Sequence, residues 1–491
     1  MKQSNIKTNL VYNFLYQVLI ILIPFVTSPY LTRILGAEKL GIYSYSHAYA
    51  NYFVLVILLG VNNYGNREIA RARDNKEKLN KVFSEIYSIQ FTMLLIVSFI
   101  YLFVLVFFDF ENKLIYSIQY IYVLSAGFDI NWCCFGLERF KLTVTRNSII
   151  KILGTLAIFG LVKDNNDLWI YILIMTLSAF ISQIVVWPFV KKEIRFTLVQ
   201  WHEIKQHLKP LLLLFIPVLA VSLYNYMDKI MLGVMCDKSE VGYYTYAEQI
   251  IAIPRSFVSA LGIVMLPRAT NLLQNGKEKE NIKLINRSMQ LAMFVCMASC
   301  FGVAVISNDF IPWYYGAEFS KSAIFTVFLT PTIIFAGWNN VIRTQYVIPR
   351  KFDKIYLATV SAGALINIFL NLVLIPFFYG MGAIIATVCA EASVCIVQFL
   401  LTRKGLSFKP FIADTIAFML CGVVMGVFVL LIPNVSSSTI INIMAKVIGG
   451  ALLYFMLTYH YLKSISKDTY IFDVALETIK KIINSLCRYH D

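Results

Sequence analysis

The sequence predicts an all-α membrane protein with about fourteen transmembrane helices, and three observations predict it. Of 491 residues, 58% are hydrophobic and only 14% are charged, against about 25% charged in an ordinary soluble domain. Apolar runs of span length recur from end to end. Lys and Arg alternate between the successive connections of those runs.

A span needs about 20 mainly apolar residues to cross about 30 Å of hydrocarbon. To within several residues, runs of that kind occupy 10–33, 41–65, 82–108, 114–136, 142–162, 167–190, 209–235, 242–266, 288–308, 321–342, 355–377, 381–402, 409–432 and 440–462. The first is too long for a signal-peptide core and has no small-residue cleavage site after it, so it is expected to be retained. Lys151 interrupts the fifth.

The connections after even-numbered spans are basic, as in Arg67, Arg71, Arg73, Lys76, Lys78 and Lys81 after span two. Those after odd-numbered spans are nearly bare. With the termini added, one side holds 33 of the 43 Lys and Arg and the other holds 6, leaving four inside spans. The positive-inside rule then places both termini in the cytoplasm. A missed span would invert every later loop. The same distribution assigns the net charge of +15 to topology and anionic headgroups, and away from nucleic acid. The nine cysteines form no CxxC pair, so no metal site is expected.

Two stretches outside the spans are amphipathic. Residues 191–209 carry Ile194, Phe196, Trp201, Ile204 and Leu208 among Lys and His, and the tail carries Phe472, Leu476, Ile479, Ile483 and Leu486 beside Lys480 and Lys481. Both patterns predict helices lying at the cytoplasmic interface.

The halves of the chain resemble each other. Gly41-Ile-Tyr-Ser-Tyr-Ser46 opens span two, and Gly242-Tyr-Tyr-Thr-Tyr-Ala247 opens span eight, at an offset of 201. Arg67 matches Arg268 at that offset, and Asp74–Lys78 matches Asn275–Lys279. Spans one and seven both begin in the cytoplasm, so the repeat is parallel. The expected organisation is a six-helix lobe with an interfacial linker over 1–200 and a second six-helix lobe over 201–405. Two further helices over 406–464 and a cytoplasmic amphipathic tail over 465–491 complete it. Two pseudo-twofold lobes around a central cleft make a transporter architecture, in which rocking exposes the cleft alternately.

Several motifs resemble a known family. Asp228-Lys-Ile-Met-Leu-Gly233, Val241-Gly-Tyr-Tyr-Thr-Tyr-Ala247, Pro254, Ala260-Leu-Gly262 and Leu266-Pro267 look like the seventh and eighth spans of bacterial polysaccharide flippases. Asp129-Ile-Asn-Trp132 and Phe135-Gly-Leu-Glu138 look like their fourth-span signature. These flippases belong to the multidrug/oligosaccharidyl-lipid/polysaccharide (MOP) superfamily, with the MATE exporters and the lipid II flippases. The resemblance implies translocation of undecaprenyl-diphosphate-linked oligosaccharide repeat units from the inner to the outer leaflet of the bacterial cytoplasmic membrane. The product would serve capsule, O-antigen or exopolysaccharide assembly. Lipid II flippases carry a basic residue where this chain has Gln249, which argues against a peptidoglycan substrate. The implied partners are the lipid-linked oligosaccharide, membrane lipids, and a polysaccharide polymerase and glycosyltransferases, with no nucleic acid.

A diphosphate crossing a bilayer needs cations, and Arg binds its oxygens bidentately where Lys acts as a point charge. A charge at the bilayer centre costs about 2.5–3.5 kcal/mol on insertion scales, so such residues face water, a partner or substrate. The four cations within spans are Lys151, Lys229, Arg255 and Lys446. Arg255, near the middle of span eight and just after Pro254, is the first candidate for the diphosphate. Lys151 is second, followed by Lys229 and by Arg33 at the end of span one. An intramembrane ion pair or an interfacial anchor is the structural alternative for each.

Carboxylates that bind and release an ion would drive alternating access. Asp129, Asp228, Glu248, Glu391 and Asp414 lie in or near spans, and His47 is the repeat counterpart of Glu248. H+ or Na+ is the candidate coupling ion, and no other cofactor is expected. Capping or pairing at the end of span four is the favoured role for Asp129 and Glu138. Pro24, Pro29, Pro217, Pro254 and Pro331 each remove a backbone hydrogen bond within a span and favour a kink.

No enzyme is expected. Outer loops are short, and no P-loop, GxSxG or HExxH is present. The competing functions are an ion-coupled small-molecule exporter of the MATE type and a membrane polysaccharide polymerase. The first would read its substrate with acids rather than cations, and the second would carry a large extracytoplasmic loop.

Overall fold

The computed structural model describes residues 6–466, and among them every regular element is a helix. Large apolar side chains stay on the outside of these helices, including Phe99 at 72% exposure, Leu365 at 68% and Leu431 at 75%. Water would penalise such surface by about 25 cal/mol per Å², whereas hydrocarbon does not. The protein is an all-α membrane protein. The expected amphipathic tail, with Phe472, Leu476, Ile479, Ile483 and Leu486, lies outside the described residues.

Contacts divide the chain into two compact units, Met1–Thr245 and Tyr246–Asp491. The first holds α1 (Ile6–Leu58), α2 (Val61–Ala72), α3 (Lys76–Phe107), α4 (Lys113–Gly127), α5 (Asn131–Gly136), α6 (Phe140–Leu161), α7 (Leu168–Ile184), α8 (Trp187–Lys191) and α9 (Trp201–Met235). The boundary falls inside α10 (Lys238–Gln274). The second unit continues with α11 (Glu278–Tyr315), α12 (Ser320–Leu329), α13 (Pro331–Ile342), α14 (Asp353–Phe378), α15 (Gly380–Thr402), α16 (Lys409–Leu431) and α17 (Thr439–Tyr461).

Among the described residues, eleven helices are long and apolar enough to cross a membrane, or twelve when α12 and α13, bent by 45°, count as one span. The difference from fourteen arises at two places. One is α1, whose 53 residues would run about 80 Å at 1.5 Å per residue, more than twice the hydrocarbon thickness. It breaks at Gly36, where φ is 72° and ψ 175°, a conformation that a Cβ would strain. The other is α4, which has only 15 residues.

The break after α4 is a constructed feature. The helix stops at Gly127, and its loose carbonyls are taken by a buried amide from α3. Gln90 Nε2 donates to Ala126 O at 2.6 Å and to Asp129 O at 2.9 Å. Gln90 Oε1 accepts from Trp132 Nε1 at 3.0 Å, and the fully buried Trp132 ring stacks on Phe83. A buried carbonyl without a partner would cost about 1–3 kcal/mol.

Gly41 and Gly242, the repeat-related glycines, lie against each other within the first unit. A Cβ on Gly41 would sit 1.7 Å from the Lys238 carbonyl oxygen, and one on Gly242 would sit 2.2 Å from the Ala37 carbonyl oxygen. The repeated motif therefore marks a backbone-to-backbone crossing of α1 and α10.

The linker corrects one expectation. Residues 194–200 form no regular element, and helix begins only at Trp201. The reason is non-local. Arg195 N donates to Asn80 Oδ1 at 2.9 Å and Thr197 N to Ser84 Oγ at 3.0 Å, so one face of α3 takes up backbone hydrogen bonds of this segment. Ile194 is buried at 3%, and Phe196 packs on Phe83, Tyr87 and Trp187. These contacts override the helical period of the segment.

In the second unit, α11 carries α16 and α17 through polar contacts. Asp414 on α16 accepts from Gln290 Nε2 at 3.2 Å and from Tyr461 Oη at 2.9 Å. Lys446 on α17 pairs with Asp309 on α11 at 2.5 Å. The bend between α12 and α13 falls at Pro331, which has no N–H to offer the preceding turn.

Candidate substrate site

Arg255 lies on α10 directly after Pro254, which interrupts that helix's hydrogen-bond ladder. Its Nη2 hydrogen-bonds Glu391 Oε1 on α15 in an ion pair. The second carboxylate oxygen of Glu391 accepts from Asn339 Nδ2 on α13 at 3.3 Å. Three helices of the second unit thus meet at one charged point. The partners are unequal in exposure, with the Arg255 side chain at 29% and that of Glu391 at 6%. A partly exposed Arg side chain paired with a buried carboxylate can offer charge-assisted hydrogen bonds to an anion.

A second group of candidates assembles in the first unit. His47 on α1 has its ring 5.5 Å from Tyr43 and 4.7 Å from Tyr122, and Lys229 on α9 lies within electrostatic reach of it. Asp228, exposed by only 3%, accepts from Tyr244 Oη at 2.6 Å. Tyr52 stands within electrostatic reach of Asp228 and Tyr226. Tyr43, Tyr52, Tyr122 and Tyr226 all retain partial exposure. Tyrosine faces of this kind stack on sugar rings while their hydroxyls hydrogen-bond.

The remaining candidates are dispersed. Arg33 is exposed, and its Nη1 donates to Pro29 O at 3.3 Å. Lys151 is exposed on α6 beside the exposed Ile149, Ile152 and Leu153. Glu248 is half-buried on α10. Asp129 Oδ1 accepts from Asn131 N at 2.9 Å, closing the turn between α4 and α5. Glu138 pairs with Arg73 at 2.6 Å.

Two features escape a linear reading. Arg146 falls among the loop cations by sequence, yet it is only 6% exposed. Its Nη2 donates to Asn131 Oδ1 at 3.0 Å and to Asn147 Oδ1 at 2.7 Å, and Ser182 Oγ donates to the same Asn147 oxygen at 2.8 Å. The signal was present as Asn147 beside it and the amides of Asn131 and Gln183, but only folding gathers them. Asn339 is the other: an amide inside an apolar run, whose meaning depends on Glu391, 52 residues away.

Comparison with known proteins identifies the family and the fold. Residues 6–273 match the family model described as polysaccharide biosynthesis protein. A Shigella dysenteriae protein provisionally named an O-antigen transporter is 27% identical over 405 residues, covering 80% of this chain and 99% of the relative. The lipid II flippase MurJ of Bacillus subtilis is 25% identical over 260 residues, covering 48% of this chain and 47% of the relative. Among solved structures, lipid II flippase MurJ in an inward closed conformation superposes with a TM-score of 0.71 at 15% identity, covering 93% of this chain and 99% of that one. An inward-facing MATE transporter of the MOP superfamily superposes at 0.59 and 14% identity, covering 84% and 96%. At these identities the superpositions show a shared fold.

Proposed function

The chain belongs to the polysaccharide biosynthesis protein family, and on that premise we propose that it is a lipid-linked glycan flippase. It moves undecaprenyl-diphosphate-linked oligosaccharide repeat units from the inner to the outer leaflet of a bacterial cytoplasmic membrane by alternating access. The near full-length likeness to a protein named for O-antigen transport supports the substrate class. Glycosyltransferases supply the loaded lipid and a polymerase consumes it. Both termini lie in the cytoplasm, a placement that the loop charges support.

The observation that carries the reading is Arg255, a partly exposed cation near the middle of α10. The prenyl tail stays in hydrocarbon, the sugars need water, and the diphosphate needs a cation on its way across. Arg255 supplies that cation by charge-assisted hydrogen bonds. The tyrosines around His47 offer the stacking surfaces that sugars use. H+ or Na+ exchange at Glu248, Asp228, Asp129, Glu391 or His47 is the candidate coupling step.

Arg255→Ala is expected to abolish glycan export in a strain that depends on this protein, with unchanged protein abundance in the membrane. Surface polymer measured beside an immunoblot checks it, and normal export would remove Arg255 from the path.

A further inference from the structure

We propose that Glu391 is a built-in competitor for the anion site: its carboxylate occupies Arg255 when the site is empty, and a substrate diphosphate binds by displacing it. This deepens the flippase reading and rests on Arg255 as the diphosphate contact.

The geometry has three parts. Glu391 is buried, exposed by only 4%, while the Arg255 side chain is 29% exposed. One carboxylate oxygen holds Arg255, and the other holds Asn339. The three residues stand on separate helices, α10, α13 and α15. The carboxylate therefore keeps a hydrogen-bond donor, Asn339 Nδ2, after it gives up the guanidinium. Such a fallback matters because a buried carboxylate stripped of every partner is strongly destabilising.

The exchange resolves two physical requirements. A lone guanidinium mid-membrane is costly, and in this scheme Arg255 always has a counter-ion, first Glu391 and then the diphosphate. A transporter must also release what it binds, so its site must hold cargo only weakly enough for it to leave. Displacing Glu391 subtracts part of the pair energy from the gross attraction between Arg255 and diphosphate. A neutral prenyl alcohol cannot displace a carboxylate from a guanidinium, so the same pair rejects it. Selectivity for an anion comes here from an occupant that only an anion can remove.

The test is a double-mutant cycle on the full chain in lipid nanodiscs, with undecaprenyl diphosphate as the probe. E391Q is expected to bind it about tenfold more tightly than the parent protein, a difference of about 1.4 kcal/mol. That gain should vanish in the R255A background, and binding of undecaprenol should not change. Inorganic pyrophosphate, added as a competitor, separates the diphosphate contribution from that of the tail. Binding by E391Q that is weaker than or equal to the parent's overturns the proposal, as does an equal gain in both backgrounds. If R255A binds as tightly as the parent, the Arg255 reading itself fails, a distinct outcome. Asn339→Leu gives an independent arm should E391Q prove unstable. It removes the fallback donor, so displacement becomes harder and binding falls severalfold, while tighter binding would overturn the scheme.

Discussion

His207 is a buried histidine with both ring nitrogens engaged. Nδ1 lies 2.7 Å from Tyr64 Oη, and Nε2 lies 2.7 Å from Glu85 Oε2, with His207 exposed by 6% and Glu85 by 2%. A neutral ring protonated on Nε2 satisfies both contacts, donating to Glu85 and accepting from Tyr64. The three residues come from α9, α3 and α2, so one side chain fastens three helices. His207→Ala leaves a buried carboxylate oxygen and a buried hydroxyl without that partner, at about 1–3 kcal/mol each. Thermal unfolding in detergent should show a clear fall in midpoint for His207→Ala, and an unchanged midpoint would refute the fastening role. None of this is legible in sequence, because Tyr64 and Glu85 precede His207 by 143 and 122 residues. The same holds at the candidate site. Sequence singles out Arg255 through the cost of a mid-span charge, a local property. Its pairing with Glu391, 136 residues on, is a product of packing.

Individual elements were legible where one local property governs them. Apolar length marks the long spans, and the offset of 201 marks the repeat. The linker was not legible, since its period fits a helix while Asn80 and Ser84 bind its backbone in a non-helical path. The glycines of the repeat fall between these cases. Their recurrence is visible in the sequence, but its reason is the close approach of α1 to the start of α10. A leucine at residue 41 would have to displace backbone rather than a side chain, and overpacking of this kind costs about 1–3 kcal/mol or more. Gly41→Leu should therefore reduce the folded, monodisperse fraction on size-exclusion chromatography. Gly160→Leu is the control, because nothing beyond its own helical turn lies within 4 Å of a Cβ built there. Equal behaviour of the two variants would show that the crossing is not needed for folding.

For the whole molecule, the number of crossings decides which face each loop meets, and it turns on α4. At 15 residues the helix spans about 22 Å at 1.5 Å per residue, short of a hydrocarbon core of about 30 Å. The chain continues through the Gln90-supported turn into α5, whose Trp132 and Cys133 are fully buried. A broken backbone at membrane depth is tolerated where protein satisfies its polar groups, and Gln90 does so here. If α4 and α5 together make one crossing, the connection at 109–112 lies outside and that at 137–139 inside. The basic loops then all fall on one face, as the distribution of 33 against 6 demands. If they do not cross, every later loop inverts and the basic residues split between faces. Single cysteines at Glu111, Glu138 and Asp164, in a background without the natural cysteines, separate the cases. A membrane-impermeant thiol reagent applied to intact cells should label positions 111 and 164 and spare 138. Labelling of 111 and 138 alike would place both ends of α4–α5 on one side and leave the chain with one crossing fewer than the charge pattern requires.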